Sequence, residues 1–201
     1  MLDRTLVACN TDTCAHPRQG GTKVSKAVVD GGGFVTLSGN DQRGIFYANT
    51  CEESFGWLSA RCDLETTPLV VFQNIVLKDG NATSGPAGYA GVGGGGVRLT
   101  GQNATSYIVS STFTDNKCAN GGGIYGDGNT YSFVVDGTVI SNNFADEGGP
   151  GIFYVSNDRT GTLTIRNSQI IDNSGENFYT APYRDIFYLG GGLTVTGSTV
   201  Q

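Results

Sequence analysis

The sequence predicts an all-β protein, a right-handed single-stranded parallel β-helix (a solenoid) of about six coils with loop insertions. Three observations carry that expectation. A unit of two short apolar runs around a tight polar turn recurs along most of the chain. The composition is rich in Gly, Thr, Val, Ile, Ser and Asn and poor in Ala, Leu, Glu and Lys, which favours strands over helices. Blocks of glycine follow the repeated units.

The unit is clearest from Leu163 to Asn173, where strand, polar turn and second strand end in Asn. Aligning Val76, Phe113, Val139, Ile170 and Val200 brings out the repeat. Five positions earlier stand Val71, Ile108, Val134, Ile165 and Val195, all apolar. Two positions earlier stand Asn74, Ser111, Gly137, Ser168 and Ser198, all small or polar. Three positions later, Asp79, Asn116, Asn142 and Asn173 are the expected polar column, each amide bonding the next between coils. The glycine blocks run through Gly96-Val97, Gly123-Ile124 and Gly151-Ile152, with a looser match at Asp185-Ile186. The steps Val76 to Phe113, Phe113 to Val139, Val139 to Ile170 and Ile170 to Val200 span 26 to 37 residues. That range belongs to solenoids, propellers and arrays; the leucine-rich signature is absent, and propeller blades need more strands per repeat. No window carries the helical i, i+3, i+4, i+7 pattern over three turns.

Two of these segments also carry a resemblance. Phe113-Thr114-Asp115-Asn116 with Gly121-Gly122-Gly123-Ile124, then Ile170-Ile171-Asp172-Asn173, resembles the alternating FxxN and GGxI repeats of polymorphic outer-membrane proteins and related bacterial β-helix proteins. Val28 to Gly33, with Thr36 to Gly39, is similar to the opening coil of secreted pectate-lyase-like β-helices. The resemblance covers roughly residues 27 to 201. That superfamily includes polysaccharide lyases, hydrolases, adhesins and proteins of unassigned role, so the resemblance speaks to fold and not to one activity.

One domain, 1–201, is expected: an irregular segment over 1–26 and coils over 27–201. The first coil has strands near Ala27–Val29, Phe34–Leu37 and Ile45–Tyr47. Residues 49–67 form an insertion with Cys51, Trp57 and Cys62. The second coil, 68–100, contains a glycine-rich excursion that lacks the Gly-Lys-Ser/Thr ending of a phosphate loop. Segments 105–127 and 131–155 are the most regular coils. The stretch from 162 to 173 leads into a loop rich in aromatic and charged residues, and the final segment stops mid-coil. The expectation is a fragment of a longer protein, or an end covered by other structure, with self-association through coil ends.

Net charge is −6 and the pI about 4.6, with no basic stripe, which argues against nucleic acid and anionic membranes. No apolar run reaches 18 residues, so no membrane insertion is expected. Met1 to Arg4 opens without a signal peptide's apolar core. Cys9 with Cys14, and Cys51 with Cys62, are expected to form disulfides, implying a secreted or cell-surface location. Their spacings and the single histidine, His16, do not make a zinc site, so no metal is expected. Cys118 is left over and reads as a small buried hydrophobe. Asn81-Ala82-Thr83 and Asn103-Ala104-Thr105 are glycosylation sequons, relevant only in a eukaryotic secretory pathway.

Candidate catalytic residues are Asp115, Asp172 and Arg166. The two carboxylates each precede the Asn column by one residue, with Ser141 on the coil between, so they stand about 9–10 Å apart, which suits neither a tight Ca²⁺ site nor a retaining pair. Arg166 follows Ile165 and points outward. The Asp-Asp, Gly-His-Gly and Arg-Ile-Lys motifs of polygalacturonase-like enzymes, and the Arg-x-Pro-x-x-Arg of pectate lyases, are missing. Aromatic candidates for stacking on sugars are Trp57, Tyr179, Tyr183 and Tyr188, although Trp57 equally suits a plug against the first coil. Thr164 and Thr194 stack outward, but the uneven period excludes a flat ice-matching array. The expected function is therefore a non-catalytic adhesin or carbohydrate-binding module whose partner is a polysaccharide or cell-surface glycan, without a cofactor. The alternatives are a lyase or glycoside hydrolase acting on an acidic polysaccharide, using Ca²⁺ if a lyase, and a structural assembly element.

Overall fold

The computed structural model describes residues 26–49, 69–83, 93–178 and 182–201. Among them there is no helix, hence none long and apolar enough to cross a membrane. The strands are β1 (Lys26–Ser38), β2 (Phe46–Asn49), β3 (Leu69–Lys78), β4 (Val97–Val109), β5 (Thr112–Thr114), β6 (Lys117–Asn120), β7 (Ile124–Asp136) and β8 (Val139–Ser141). They continue as β9 (Phe144–Gly148), β10 (Ile152–Ser156), β11 (Thr162–Arg166), β12 (Gln169–Ile171), β13 (Ser174–Gly175), β14 (Ile186–Leu189), β15 (Gly192–Thr196) and β16 (Thr199–Val200). Every pairing is parallel, with each strand stacking on its counterpart one coil along. The protein is a parallel β-solenoid.

The chain winds through successive strips. The first is β2, the opening halves of β4 and β7, then β10 and β14. The second is the openings of β1 and β3, the closing halves of β4 and β7, then β11 and β15. The third is the ends of β1 and β3, then β5, β8, β12 and β16. The last is β6, β9 and β13, a separate three-stranded sheet. β4 and β7 turn the corner between strips without breaking, at Asn103 (φ 51°) and Thr130 (φ 48°), each flanked by residues that pair across the two strands.

The core is a set of stacked columns. Val29, Phe72, Ile108, Val135, Ile165 and Val195 are in register along the second strip. Leu37, Leu77, Phe113, Ile140, Ile170 and Val200 are in register along the third. Two coils are thus shifted by one residue from the sequence alignment. Leu77 and Ile140 are fully buried where Val76 and Val139 were expected, because the latter point outward and are only partly covered. Phe72 and Val135 likewise replace Val71 and Val134.

The shift moves the polar column. Asn143, not Asn142, joins Asn116 and Asn173 inside, and all three are buried. Asn116 Nδ2 donates to Asn143 Oδ1 (3.0 Å), and Asn143 Nδ2 to Asn173 Oδ1 (2.9 Å). Each carbonyl also accepts the backbone N–H of the Asn before it, at 3.1 and 3.0 Å. Each amide further donates to a core-strand carbonyl: Asn116 to Leu77, Asn143 to Phe113 and Asn173 to Ile140. Gly80, not Asp79, closes the column at the other end, its N–H donating to Asn116 Oδ1 (2.8 Å). Asp79 and Asn142 stand one residue earlier at the turn, with φ of 54° and 56°. A second polar ladder flanks the third strip: the backbone N–H groups of Ser111, Thr138 and Ser168 donate to the hydroxyl oxygens of Thr138, Ser168 and Ser198 one coil along. These ladders satisfy backbone groups that the turns would otherwise bury unpaired.

Cys118 is buried as a free thiol, its Sγ donating to Ala82 O at 3.6 Å, and burial pushes its pKa up. Cys9, Cys14, Cys51, Cys62, Trp57 and Tyr179 lie outside the described residues.

Candidate functional site

Asp115, Asn142 and Asp172 follow Thr114, Ser141 and Ile171, which are in register, so the residue between the two carboxylates is Asn142 rather than Ser141. With Asp79, which is partly exposed, they form one turn column, all at positive φ between 54° and 57°. Asp and Asn tolerate that region better than other side chains, so the turn itself explains why these residues stand there. Arg166 is on another corner. Its Nε donates to Asp136 Oδ2 at 2.9 Å, and Asn167 Nδ2 donates to the other oxygen at 3.0 Å. The Asn167 hydrogen bond, with help from Arg166, holds the Asp136 carboxyl below the usual range. The structure therefore does not bring Asp115, Asp172 and Arg166 together. Among the described residues, no group of three or more His, Cys, Asp or Glu is placed to hold a metal ion.

A different group converges on the outer face of the first strip. Val97, Ile124, Ile152 and Ile186 point into the core, so their successors Arg98, Tyr125, Phe153 and Phe187 point out, in register on adjacent coils. The rings of Tyr125 and Phe153 stack at 5.1 Å and 3°, and those of Phe153 and Phe187 at 4.6 Å and 14°. Arg98 lies 5.3 Å from the Tyr125 centroid, extending the column as a cation–π contact. Phe178 meets Phe187 and Phe153 edge-on, at 5.5 and 6.4 Å, and stays 54% exposed. Each such ring pair contributes about 0.5–1.5 kcal/mol beyond its buried area.

Two residues further along each strand, Thr100, Asp127 and Val155 form the adjoining outward column. Asp127 Oδ1 accepts from Asn157 Nδ2 (2.8 Å), and Oδ2 accepts from the Tyr125 hydroxyl at a long 3.4 Å. Burial pushes the Asp127 carboxyl above its usual range, while Asn157, Tyr125 and the Arg98 charge act in the opposite direction. The result is an aromatic ridge that is largely covered: Tyr125 and Phe187 are buried, Phe153 is partly exposed, and only Phe178 at its edge is open to solvent. Its accessible rings are Phe178 and, in part, Phe153.

Sequence reasoning missed this group, although a signal was present. An aromatic directly follows the core Ile at Tyr125, Phe153 and Phe187. Of the aromatics singled out instead, Tyr188 points inward and stacks on Tyr154 at 5.6 Å and 7°, and Tyr183 is half-buried against the core. No family model, curated protein or solved structure matches the chain.

Proposed function

We propose that this chain is a non-catalytic carbohydrate-binding or adhesive β-solenoid, secreted or displayed at a cell surface, whose ligand is a polysaccharide or cell-surface glycan. The observation that carries the reading is Phe178, 54% exposed and set edge-on against partly exposed Phe153, at the margin of the stack whose other rings, Tyr125 and Phe187, are buried. Pyranose C–H faces stack on exposed aromatic rings, a role open here to Phe178 and the uncovered part of Phe153. The resemblance to FxxN/GGxI repeats and to pectate-lyase-like coils is consistent with this class and leaves ligand and cofactor open. A second reading, a polysaccharide lyase or hydrolase, is favoured by the raised Asp127 carboxyl near Arg98.

One screen separates these readings. The chain is exposed to a polysaccharide panel, and binding is measured together with release of reducing or unsaturated ends, with and without Ca²⁺. Phe178→Ala should weaken binding about tenfold, the value of one stacking contact, while no ends are released. Turnover abolished by Asp127→Asn but kept by Asp172→Asn replaces the binding reading with an enzymatic one. Neither binding nor turnover on any glycan shifts the assignment to structural assembly.

A further inference from the structure

The glycine before each first-strip strand leaves room for the Asn that comes later in the same coil. A Cβ on Gly96 would lie 3.2 Å from Asn116 Nδ2, and one on Gly123 would lie 3.2 Å from Asn143 Nδ2. A Cβ on Gly151 would lie 3.1 Å from Asn173 Nδ2 and 2.9 Å from Ile170 Cγ2. Asp185 occupies the same place in the next coil: Ile124 N–H donates to Gly151 O, and Ile152 N–H to Asp185 O. There the side chain turns inward and is fully buried.

Asp185 Oδ2 accepts from Asn173 Nδ2 at 2.8 Å and from Asn173 N at 3.3 Å. These are the two bonds that Asn143 gives to the Asn173 carbonyl one coil earlier. The carboxylate therefore stands where the next amide of the column would stand. Its other oxygen accepts from Arg184 Nε at 3.0 Å, and Arg184 Nη2 donates to Asn173 O at 2.9 Å. Buried charge and partner are both satisfied, which an isolated buried carboxylate would not be.

We propose that Arg184 and Asp185 form a plug that ends the internal amide ladder and bars a further Asn-bearing coil, from this chain or a second copy, from stacking beneath Asn173. An Asn placed after Val200 as Asn173 follows Ile170 needs the volume that Asp185 fills. Closing a coil over the plug also buries the Arg184 guanidinium, half exposed at present. Inward-pointing charge is a recognised device against edge-to-edge association of strands, and among the described strands β15 and β16 are such edges. The plug is independent of glycan binding, since none of its groups lies on the aromatic ridge.

The test compares wild type with Asp185→Gly, which restores the glycine of the inner coils, and with Asp185→Asn, which keeps an acceptor for Asn173. Hydrogen exchange of the Asn173 backbone amide and particle mass by light scattering over a concentration series are measured on each. Asp185→Gly should exchange about tenfold faster or more at Asn173 and grow in mass with concentration. Asp185→Asn should stay near wild type in both. Should the glycine variant not fold, Asp185→Ala takes its place for the exchange arm; it too lacks an acceptor for Asn173, but its Cβ still crowds a stacked Asn, so it should exchange faster without growing in mass. Growth of the wild type end to end, unchanged exchange in the glycine or alanine variant, faster exchange of the glycine variant without growth, or growth of the alanine variant overturns the proposal.

Discussion

Asn142 and Asn143 carry the same side chain and serve opposite ends of one turn. Asn142 is exposed and sits at φ 56°, where its amide eases a left-handed backbone. Asn143 is buried and holds its neighbours on both sides, accepting from Asn116 and donating to Phe113 O, Ser141 O and Asn173 Oδ1. Removing the Asn143 amide strands the Asn116 backbone N–H and one of its two Nδ2 hydrogens in a dry interior, the other still reaching Leu77 O, as well as losing its own bonds. Asn143→Ala should therefore cost about 3 kcal/mol or more, against about 1 kcal/mol for Asn142→Ala. Urea unfolding of the two variants checks this, and equal losses would show that the ladder carries no special weight.

At the scale of strands, the corner between the first and second strips is tied by phenols. Tyr131, just past the bend of β7, shares a hydrogen bond with Ser106 on β4, and the Tyr154 hydroxyl of β10 donates to Tyr131 O at 2.5 Å. Burial pushes the Tyr131 phenol up to about 12, partly opposed by Ser106. Tyr154 is raised as well, chiefly by burial. A phenol whose pKa is higher in the folded state contributes its stability in full below the unfolded value, about 10. That contribution is lost as pH rises from there towards about 12, at about 1.4 kcal/mol per pH unit per group. Unfolding free energies at pH 9 and pH 11 should therefore fall with pH, and Tyr131→Phe should show a shallower fall; parallel slopes would remove Tyr131 from the account. The strands themselves were legible in the sequence because the repeat fixes their order, parallel sense and spacing. Their facing was not, wherever two apolar residues adjoin. Val76-Leu77 and Val139-Ile140 offer no alternation to say which points in, and the Asn142-Asn143 doublet fits either choice. The candidate site was less legible still, because Tyr125, Phe153 and Phe187 come together only once the coils are stacked in register.

The whole molecule is a column in which each coil touches only its neighbours, so stability is shared between coils rather than held in one central core. A residue's weight then depends on whether coils lie on both sides of it. Ile140 has Phe113 above and Ile170 below, and is fully buried. Val200 belongs to the same column, but the described coils cover it on one side only, through Ile170, and it stays partly exposed. Ile140→Ala removes methylenes from a site that close-packed neighbours cannot collapse, and should cost about 3–4 kcal/mol. Val200→Ala removes less, from a site that water already reaches, and should cost under about 1 kcal/mol. Amide exchange should follow the same gradient, slowest in β7 and faster in β15 and β16, since opening the terminal coil breaks one coil–coil interface and opening the middle breaks two. If β16 were as protected as β7, or Val200→Ala as costly as Ile140→Ala, the terminal coil would have to be covered by further structure in solution, and the exposed ends of its apolar columns would be an occupied interface.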